Sequence, residues 1–205
     1  MKFSLIDEPW ILAQRVNGEV TQVSLLDLVR YAHELRAIVG QPATQEFAIL
    51  RLVLAVLHAA TRGPTTDSWS DMWRCDRLPV DAVGAYLDRY RERFDLLHPR
   101  APFYQVAGLQ TAKDEVFGLE RLIADVPTGP RLFTGRSGEA LRQISFGEAA
   151  RWLVHAQAFD VSGIKSGAVG DSRVKKGKGY PIGTGFAGSL GGVFADGDTV
   201  RETLL

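Results

Sequence analysis

The segment 44–61 constrains the fold more than any other feature, because it is apolar around most of a helical circumference. Its apolar residues recur at helical spacing, and they are Phe47, Ile49, Leu50, Leu52, Val53, Leu54, Val56 and Leu57. A helix on the surface of a protein normally keeps one broad polar face, whereas a helix that is apolar on most sides is usually buried. We therefore predict a buried helix over 44–61.

The first forty residues predict a β-hairpin and then a helix. Residues 10–15 and 20–23 flank Asn17-Gly18, a dipeptide strongly favoured in the two-residue turn of a hairpin. Ser24 follows as a candidate N-cap. Apolar residues at helical spacing from Leu25 to Val39 then predict one continuous helix.

Beyond the buried helix, loops and helices are expected to alternate. Residues 62–78 resemble a loop, Pro79 can begin a third helix, and Ser145 can cap a fourth helix over 146–158. A last helix is expected to begin at Asp198 as its capping residue. Together these elements predict an α+β fold: a mixed, mainly helical domain with an N-terminal β-hairpin and a long glycine-rich basic loop.

The segment 163–192 carries the strongest functional signal. One residue in three is glycine there, and a single acid, Asp171, stands against the cations Lys165, Arg173, Lys175, Lys176 and Lys178. Glycine lets backbone N–H groups approach a phosphate closely, and lysine adds a salt-sensitive attraction to a polyanion. Composition alone leaves two interpretations open: a nucleic-acid or phosphate contact, or a flexible surface loop that lysine keeps soluble.

A nucleotide- or phosphate-binding enzyme is the alternative function that the same segment raises. Gly183, Gly185 and Gly188 fit the Gly-x-Gly-x-x-Gly pattern of dinucleotide sites, which requires a strand before the motif and a helix after it. The sequence 189–192, Ser-Leu-Gly-Gly, does not resemble the opening of a helix. Gly177-Lys178 lacks the Ser or Thr that follows the lysine of a phosphate-binding P-loop.

The overall composition narrows the class of protein. Charge is balanced, with 24 basic and 24 acidic residues, so any nucleic-acid surface must be a local patch. Cys75 is the only cysteine, and no Cys/His cluster has zinc spacing. We therefore expect no metal site and no cofactor, and the sequence alone assembles no catalytic set of residues. Since no segment has the apolar run of a signal peptide or a membrane span, we expect a cytoplasmic protein.

Five segments form an ordered pattern. Residues 5–11 contain Leu-Ile-Asp-Glu-Pro-Trp-Ile, residues 98–105 contain His-Pro-x-x-Pro-Phe-Tyr-Gln, and Leu132-Phe133 lies in a loop. Residues 149–159 form a helix-like stretch before the glycine-rich segment, and 180–185 continue as Tyr-Pro-Ile-Gly-Thr-Gly. In this order they resemble the CasA family, the large subunit of the type I-E CRISPR Cascade complex.

The resemblance implies a non-catalytic subunit of an RNA-guided antiviral complex. It implies contact with the 5′ handle of the guide RNA at Phe133. It implies recognition of the motif that flanks the target in double-stranded DNA, at Ser162, Gly163, Ile164 and Lys165. Contact with the DNA backbone is expected at Arg173, Lys175, Lys176 and Lys178.

The resemblance also implies partners and a larger protein. Family members are much longer, so residues 1–205 are expected to be the N-terminal part of the CasA-like large-subunit domain, without its C-terminal helical bundle. Expected partners are other Cascade subunits, the CRISPR guide RNA, the target double-stranded DNA and a separate nuclease-helicase, but no membrane. One departure concerns 160–167: members have a dense glycine run there, whereas this chain keeps only Gly163 in the core of the loop. The preferred flanking motif could therefore differ.

Overall fold

The computed structural model describes residues 1–126, 135–136, 138–160, 165–176, 178–179 and 185–205. The described elements, in chain order, are strands β1 (Ile11–Arg15) and β2 (Val20–Val23), helix α1 (Leu25–Arg30), strand β3 (Leu35–Ile38), helices α2 (Ala43–Ala60), α3 (Thr66–Arg74), α4 (Val80–Arg89) and α5 (Phe146–Phe159), strands β4 (Lys165–Ser166) and β5 (Lys178–Gly179), and helices α6 (Phe186–Leu190) and α7 (Val200–Leu204). Short 3₁₀ turns cover Arg91–Phe94, Leu119–Arg121 and Gly138–Leu141. The predicted mixed, mainly helical α+β class is confirmed.

The N-terminal hairpin lies in an antiparallel sheet with the order β2-β1-β3. Asn17-Gly18 does lie in its turn, but the loop has three residues, 16–18, since the Arg15 N–H donates to the Glu19 carbonyl over 2.8 Å. Gly18 has a φ of 91°, a left-handed conformation that glycine adopts without strain. The Gly18 N–H donates to the Arg15 carbonyl over 2.9 Å. The prediction of two paired strands, β1 and β2, is therefore confirmed.

The predicted helix from Leu25 to Val39 is wrong in its second half. Helix α1 ends at Arg30, and the chain returns as β3, which pairs with the free edge of β1. Leu35 and Ile38 are buried in this strand, and the Val39 N–H donates to the Leu12 carbonyl over 2.8 Å. The pairing gives hydrogen-bond partners to backbone groups of β1 that would otherwise have none. These hydrogen bonds outweigh the preference for a helix that the local apolar spacing suggests.

Helix α2 forms at the predicted position and packs mainly against α5 and α4, but the prediction that it is buried on most sides is wrong. Its buried residues are Gln45, Ala48, Ile49, Leu50, Val53, Val56 and Leu57. The burial is one-sided, since Arg51, Ala55 and His58 are exposed. By length and composition alone α2 is apolar enough to cross a membrane, contrary to the expectation that no segment has such an apolar run. Its packing is that of a core helix.

Two other element predictions need correction. Residues 66–74, expected in a loop, form α3, whose first turn is capped by the Thr65 hydroxyl. The helix begun at Pro79 ends at Arg89, and a 3₁₀ turn follows it. Trp69, Met72 and Trp73 do follow at helical spacing in α3, but the helix is short, mostly polar and without a buried residue, and these features resemble those of a loop.

Helix α5 joins the main core to a second, small core. The Ser145 hydroxyl accepts from the Glu148 N–H over 3.1 Å, which confirms the predicted N-cap. One side of α5 packs against α2. Trp152, on α5, is buried with Ile123 and Val126. This helix therefore holds the segment before residue 127 against the body of the protein.

Candidate nucleic-acid interface

Four of the predicted contact residues lie outside the described part of the chain: Phe133, Ser162, Gly163 and Ile164. The structure instead describes the residues that flank them. Residues 127–134, which include Phe133, are called here the aromatic segment. Residues 161–184, which include the predicted flanking-motif and backbone contacts, are called the basic segment.

Arg136 holds the chain just after the aromatic segment. Its Nη2 lies 2.5 Å from Glu148 Oε1 on α5 and 2.8 Å from Gln41 Oε1. Its Nε lies 3.4 Å from Asp125 Oδ1, and the guanidinium stands 5.9 Å from the centre of the Trp152 ring. With only 11% of its side chain exposed, Arg136 ties the chain to the N-terminal half of α5.

Val126 holds the chain just before the aromatic segment. Its side chain is buried beside Ile123 and Trp152. The apolar contact before the segment involves Trp152, and the ion pair after it involves Glu148. Both residues lie on the same turn of α5. The described residues on both sides of 127–134 therefore contact one turn of α5.

The two ends of the basic segment meet at the C-terminus of α5. The Gly185 N–H donates to the Asp160 carbonyl over 3.0 Å. A Cβ at residue 185 would overlap the backbone of Asp160 and Phe159, so only glycine permits this approach. The described residues that flank 161–184 are thus in direct contact with each other.

Part of the basic segment is a small hairpin. Strands β4 and β5 pair antiparallel, with Lys165 opposite Gly179 and Ser166 opposite Lys178. The hairpin rests on residues 110–115: the Val169 N–H donates to the Gln110 carbonyl over 2.9 Å, and Ser166 Oγ donates to Glu115 Oε2 over 2.8 Å. Among the described residues, the predicted long loop therefore contains a short two-stranded ladder and, from Phe186, the start of helix α6.

The cations of the hairpin differ in their surroundings. Arg173 donates through Nε and Nη2 to both oxygens of Asp171, over 2.9 and 2.8 Å. These hydrogen bonds lower the pKa of Asp171 to about 2, so the pair has no net charge at neutral pH. Lys175, Lys176 and Lys178 are exposed and form no ion pair with a carboxylate of the described residues. With the Asp171–Arg173 pair neutral, the net positive charge of the described hairpin belongs to these three lysines and to Lys165 of β4.

A cleft of about 420 Å³ lies between residues 120–126 and the C-terminal half of α5. His155 lines it, with Nε2 3.0 Å from Thr44 Oγ1 and its ring stacked on Phe159. Burial lowers the pKa of His155, which keeps the imidazole neutral at pH 7. Within the described ranges, no three His, Cys, Asp or Glu side chains come together as metal ligands would.

Comparison with known proteins identifies the family. A protein-family model described as CRISPR-associated protein Cse1 (CRISPR_cse1) matches residues 4–205. The chain belongs to the Cse1 family. The resemblance to CasA found in the sequence is thereby confirmed, since a relative of this chain is called CasA/Cse1.

Relatives of this Cse1-family chain include proteins of known structure. It is 38% identical over 166 residues to the CRISPR-associated protein CasA/Cse1 of Thermus thermophilus, an alignment that covers 80% of this chain and 32% of the relative. It is similar to the crystal structure of Thermobifida fusca Cse1, with 51% identity and a TM-score of 0.90 over 99% of this chain and 38% of that one. The chain thus spans about a third of the length of the curated relative that it matches.

A more distant likeness concerns the fold alone. A chain in a structure titled CRISPR RNA-guided surveillance complex is 21% identical, with a TM-score of 0.73, and the match covers 99% of this chain and 43% of that one. The Cse1 fold seen here therefore also occurs in a chain of such a structure.

The dinucleotide motif in this Cse1-family chain lacks the context that such a site needs. Helix α6 begins inside the motif, has only five residues and ends at Leu190, so residues 189–192 do not open a helix, as expected from the sequence. Strand β5 belongs to an antiparallel hairpin of two-residue strands, whereas a dinucleotide site needs a strand–turn–helix within a βαβ unit. Gly183 lies outside the described residues.

Sequence reasoning missed the residues that support both segments. Arg136 follows Gly135 in a stretch without periodicity, and its carboxylate partners are 11 or 12 positions away along the chain. Gly185 was noted only as part of a nucleotide motif, whereas its described role is close contact with Asp160. Each is an isolated arginine or glycine in a loop-like stretch of sequence, and the neighbouring residues do not indicate its role.

Proposed function

We propose that this chain is the N-terminal part of a Cse1/CasA subunit, that the subunit belongs to a CRISPR RNA-guided surveillance complex in the cytoplasm, and that it has no active site of its own. Membership of the Cse1 family and the shared fold of a surveillance-complex chain support this proposal. The subunit binds nucleic acid together with other Cascade proteins, and the complex recruits a nuclease-helicase.

The observation that carries the proposal is the common support of the two segments. The aromatic segment is held at Glu148 and Trp152, and the basic segment begins and ends at Asp160. Twelve residues of an α-helix at 1.5 Å per residue separate Glu148 from Asp160 by about 18 Å. One helix can thus hold an RNA contact and a DNA contact at a fixed distance.

Each segment suits a different part of the nucleic acid. In the aromatic segment, Phe133 stacks on an unpaired base of the guide-RNA handle. In the basic segment, residues 162–165 approach the minor groove of the flanking motif, where few groups distinguish one base pair from another. Lys175, Lys176 and Lys178 meet phosphates, and Arg173 contributes less because Asp171 neutralises it. Base pairing between the guide RNA and the target strand selects the target sequence.

Assembly tests the proposal directly. Full-length protein, mixed with the remaining Cascade subunits and guide RNA in low salt, is expected to co-elute with them on size-exclusion chromatography. The same protein alone should have little sequence-specific affinity for DNA. Elution apart from the RNA-bearing complex in low salt would contradict the proposal.

Phe133→Ala tests the RNA contact. Loss of a stacked aromatic ring removes about 1–3 kcal/mol of binding, so attachment to the RNA-bearing complex should weaken by about 5- to 150-fold. The melting temperature should stay nearly unchanged. A parallel loss of melting temperature and attachment would instead indicate that Phe133 holds the segment against the protein.

A further inference from the structure

Helix α3 carries a pair of tryptophans that no residue in the described part of the chain covers fully. The rings of Trp69 and Trp73 stack, with centres 5.7 Å apart and planes inclined by 23°. They are 38% and 46% exposed, and Met72 beside them is half-buried. A single exposed apolar side chain is ordinary, whereas two stacked indole rings form a continuous apolar patch of the kind that marks a contact surface.

Helix α3 has little other apolar support. None of its nine residues is buried, and among the described elements it has no major packing partner. A helix of this length is marginal in water when isolated, because its few hydrogen bonds barely offset the cost of ordering the first turn. Most helices in proteins gain their stability from packing of an apolar face. In α3 the tryptophan face is the part available for such packing.

The contacts that α3 does make lead to helix α7 and to Leu205. The Nε1–H of Trp69 donates to the Leu205 carbonyl. Arg201 of α7 is buried, and its guanidinium stands 5.7 Å from the centre of the Trp73 ring. Its Nη2 donates to three carbonyls at the C-terminal end of α3, those of Met72, Trp73 and Cys75. In a longer protein, the residues that follow Leu205 therefore start beside the exposed rings.

The charge of α3 argues against nucleic acid as the occupant of this face. The helix carries two acids and one base, Asp67, Asp71 and Arg74, and Arg74 Nη1 lies 3.1 Å from Asp71 Oδ1. Binding of a nucleic-acid strand depends on cations that neutralise its phosphates, and α3 has no excess of them. An apolar protein segment needs no such cations and gains free energy when it covers the indole rings.

We propose that, in the full-length protein, the segment that directly follows Leu205 lies over α3 and covers Trp69 and Trp73 with apolar side chains. The inference rests on one part of the proposed function, namely that this chain is the N-terminal part of a longer subunit. The chain spans about a third of the length of its curated relative. Attachment at residue 205 keeps the following segment near the rings at an effective concentration of about millimolar, whereas another subunit or a second copy must be recruited from solution.

Site-specific photocrosslinking of the full-length protein tests the proposal. Trp73 is replaced by p-benzoylphenylalanine, the purified protein is irradiated without other subunits or nucleic acid, and the products are mapped by mass spectrometry. The expected product joins residue 73 to a residue that follows Leu205 in the same chain. A product that joins two copies, a product confined to residues 1–205, or a crosslink that forms only after other subunits or nucleic acid are added would each overturn the proposal. If the expected product forms but the protein does not join the RNA-bearing complex, the assembly part of the proposed function fails and this inference stands.

Hydroxyl-radical footprinting provides a second measurement, on unaltered full-length protein at a concentration where it elutes as a monomer. Trp69 and Trp73 should lose their reactivity and be oxidised as slowly as Trp10 and Trp152, whose side chains are fully buried. A synthetic peptide of residues 64–76 gives the unprotected rate for the same two tryptophans. Oxidation of Trp69 and Trp73 in the protein at a rate near that of the peptide would contradict the proposal.

Discussion

Arg136 shows how one side chain can organise a segment that has no regular structure of its own. Its guanidinium contacts Asp125, Glu148 and Gln41, which belong to three separate parts of the chain. An arginine can do this because its planar fork carries five N–H donors in a fixed arrangement. Lysine, with a single ammonium group, could not hold the same set of oxygens.

Arg136→Gln should therefore reduce both stability and RNA attachment. The change leaves the carboxylates of Glu148 and Asp125 without their cation, at a cost of about 1–3 kcal/mol in the free energy of unfolding, and it releases one end of the aromatic segment. Chemical denaturation and attachment to the RNA-bearing complex measure the two effects. Arg142→Gln, at an exposed position with the same residue type, is the control and should change neither. Unaltered attachment of Arg136→Gln to the RNA-bearing complex would mean that the RNA contact of the aromatic segment does not depend on the contacts of Arg136.

At the scale of elements, α5 is both a core helix and the support of the interface. Its Ser145 cap and apolar face were predictable from local sequence, because capping and helical periodicity involve neighbouring residues. The position of the basic hairpin against residues 110–115 was not predictable in this way. It depends on hydrogen bonds between segments more than fifty positions apart.

The basic hairpin allows a quantitative test with salt. Lys175→Ala/Lys176→Ala/Lys178→Ala should flatten the log–log salt dependence of DNA binding in the assembled complex by about 0.9 for each phosphate that the lysines no longer neutralise. Matched and motif-mutated duplexes should lose affinity by similar factors, because phosphate contacts carry no direct sequence information.

Two control variants make the salt measurement specific. Arg62→Ala/Arg74→Ala/Arg77→Ala removes the same charge from exposed positions elsewhere and should leave the slope unchanged. Asp171→Asn frees Arg173 from its ion pair and should steepen the slope. A parental slope in the triple lysine variant would exclude the hairpin from the DNA contact.

At the scale of the whole molecule, α2 and α5 form the centre of the described fold. Helix α2 lines a groove beside α4 and residues 101–105 through Leu52, Ala55 and Val56, and it packs against α5 on another side. His155 lies at this junction, with Nε2 3.0 Å from Thr44 Oγ1. Because His155 is buried, its protonation makes the free energy of unfolding depend on pH.

The pH dependence has a definite sign. Burial lowers the pKa of His155 below the ordinary value of 6.5, so the unfolded chain binds this proton more readily than the folded protein. The free energy of unfolding should therefore fall as the pH drops below about 6.5, by at most about 1.4 kcal/mol per pH unit from this group. Urea denaturation at pH 7.5, 6.5 and 5.5 should show a smaller fall in His155→Gln than in the parent. His58→Gln, at an exposed histidine, should retain the parental fall, and an equal slope in all three proteins would contradict this account.

The sequence by itself determined the parts of this protein that depend on near neighbours. These are the turn at Asn17-Gly18, the central helix α2 and the capped helix α5, because a left-handed turn, a cap and a 3.6-residue period are local properties. Only the tertiary structure decided that residues 35–38 form a strand, since their apolar spacing fits a helix and the edge of β1 lies far earlier in the chain. Only the tertiary structure brought Gly185 against Asp160 and Ser166 against Glu115. Such contacts depend on partners that folding brings together, and no local pattern encodes their distances.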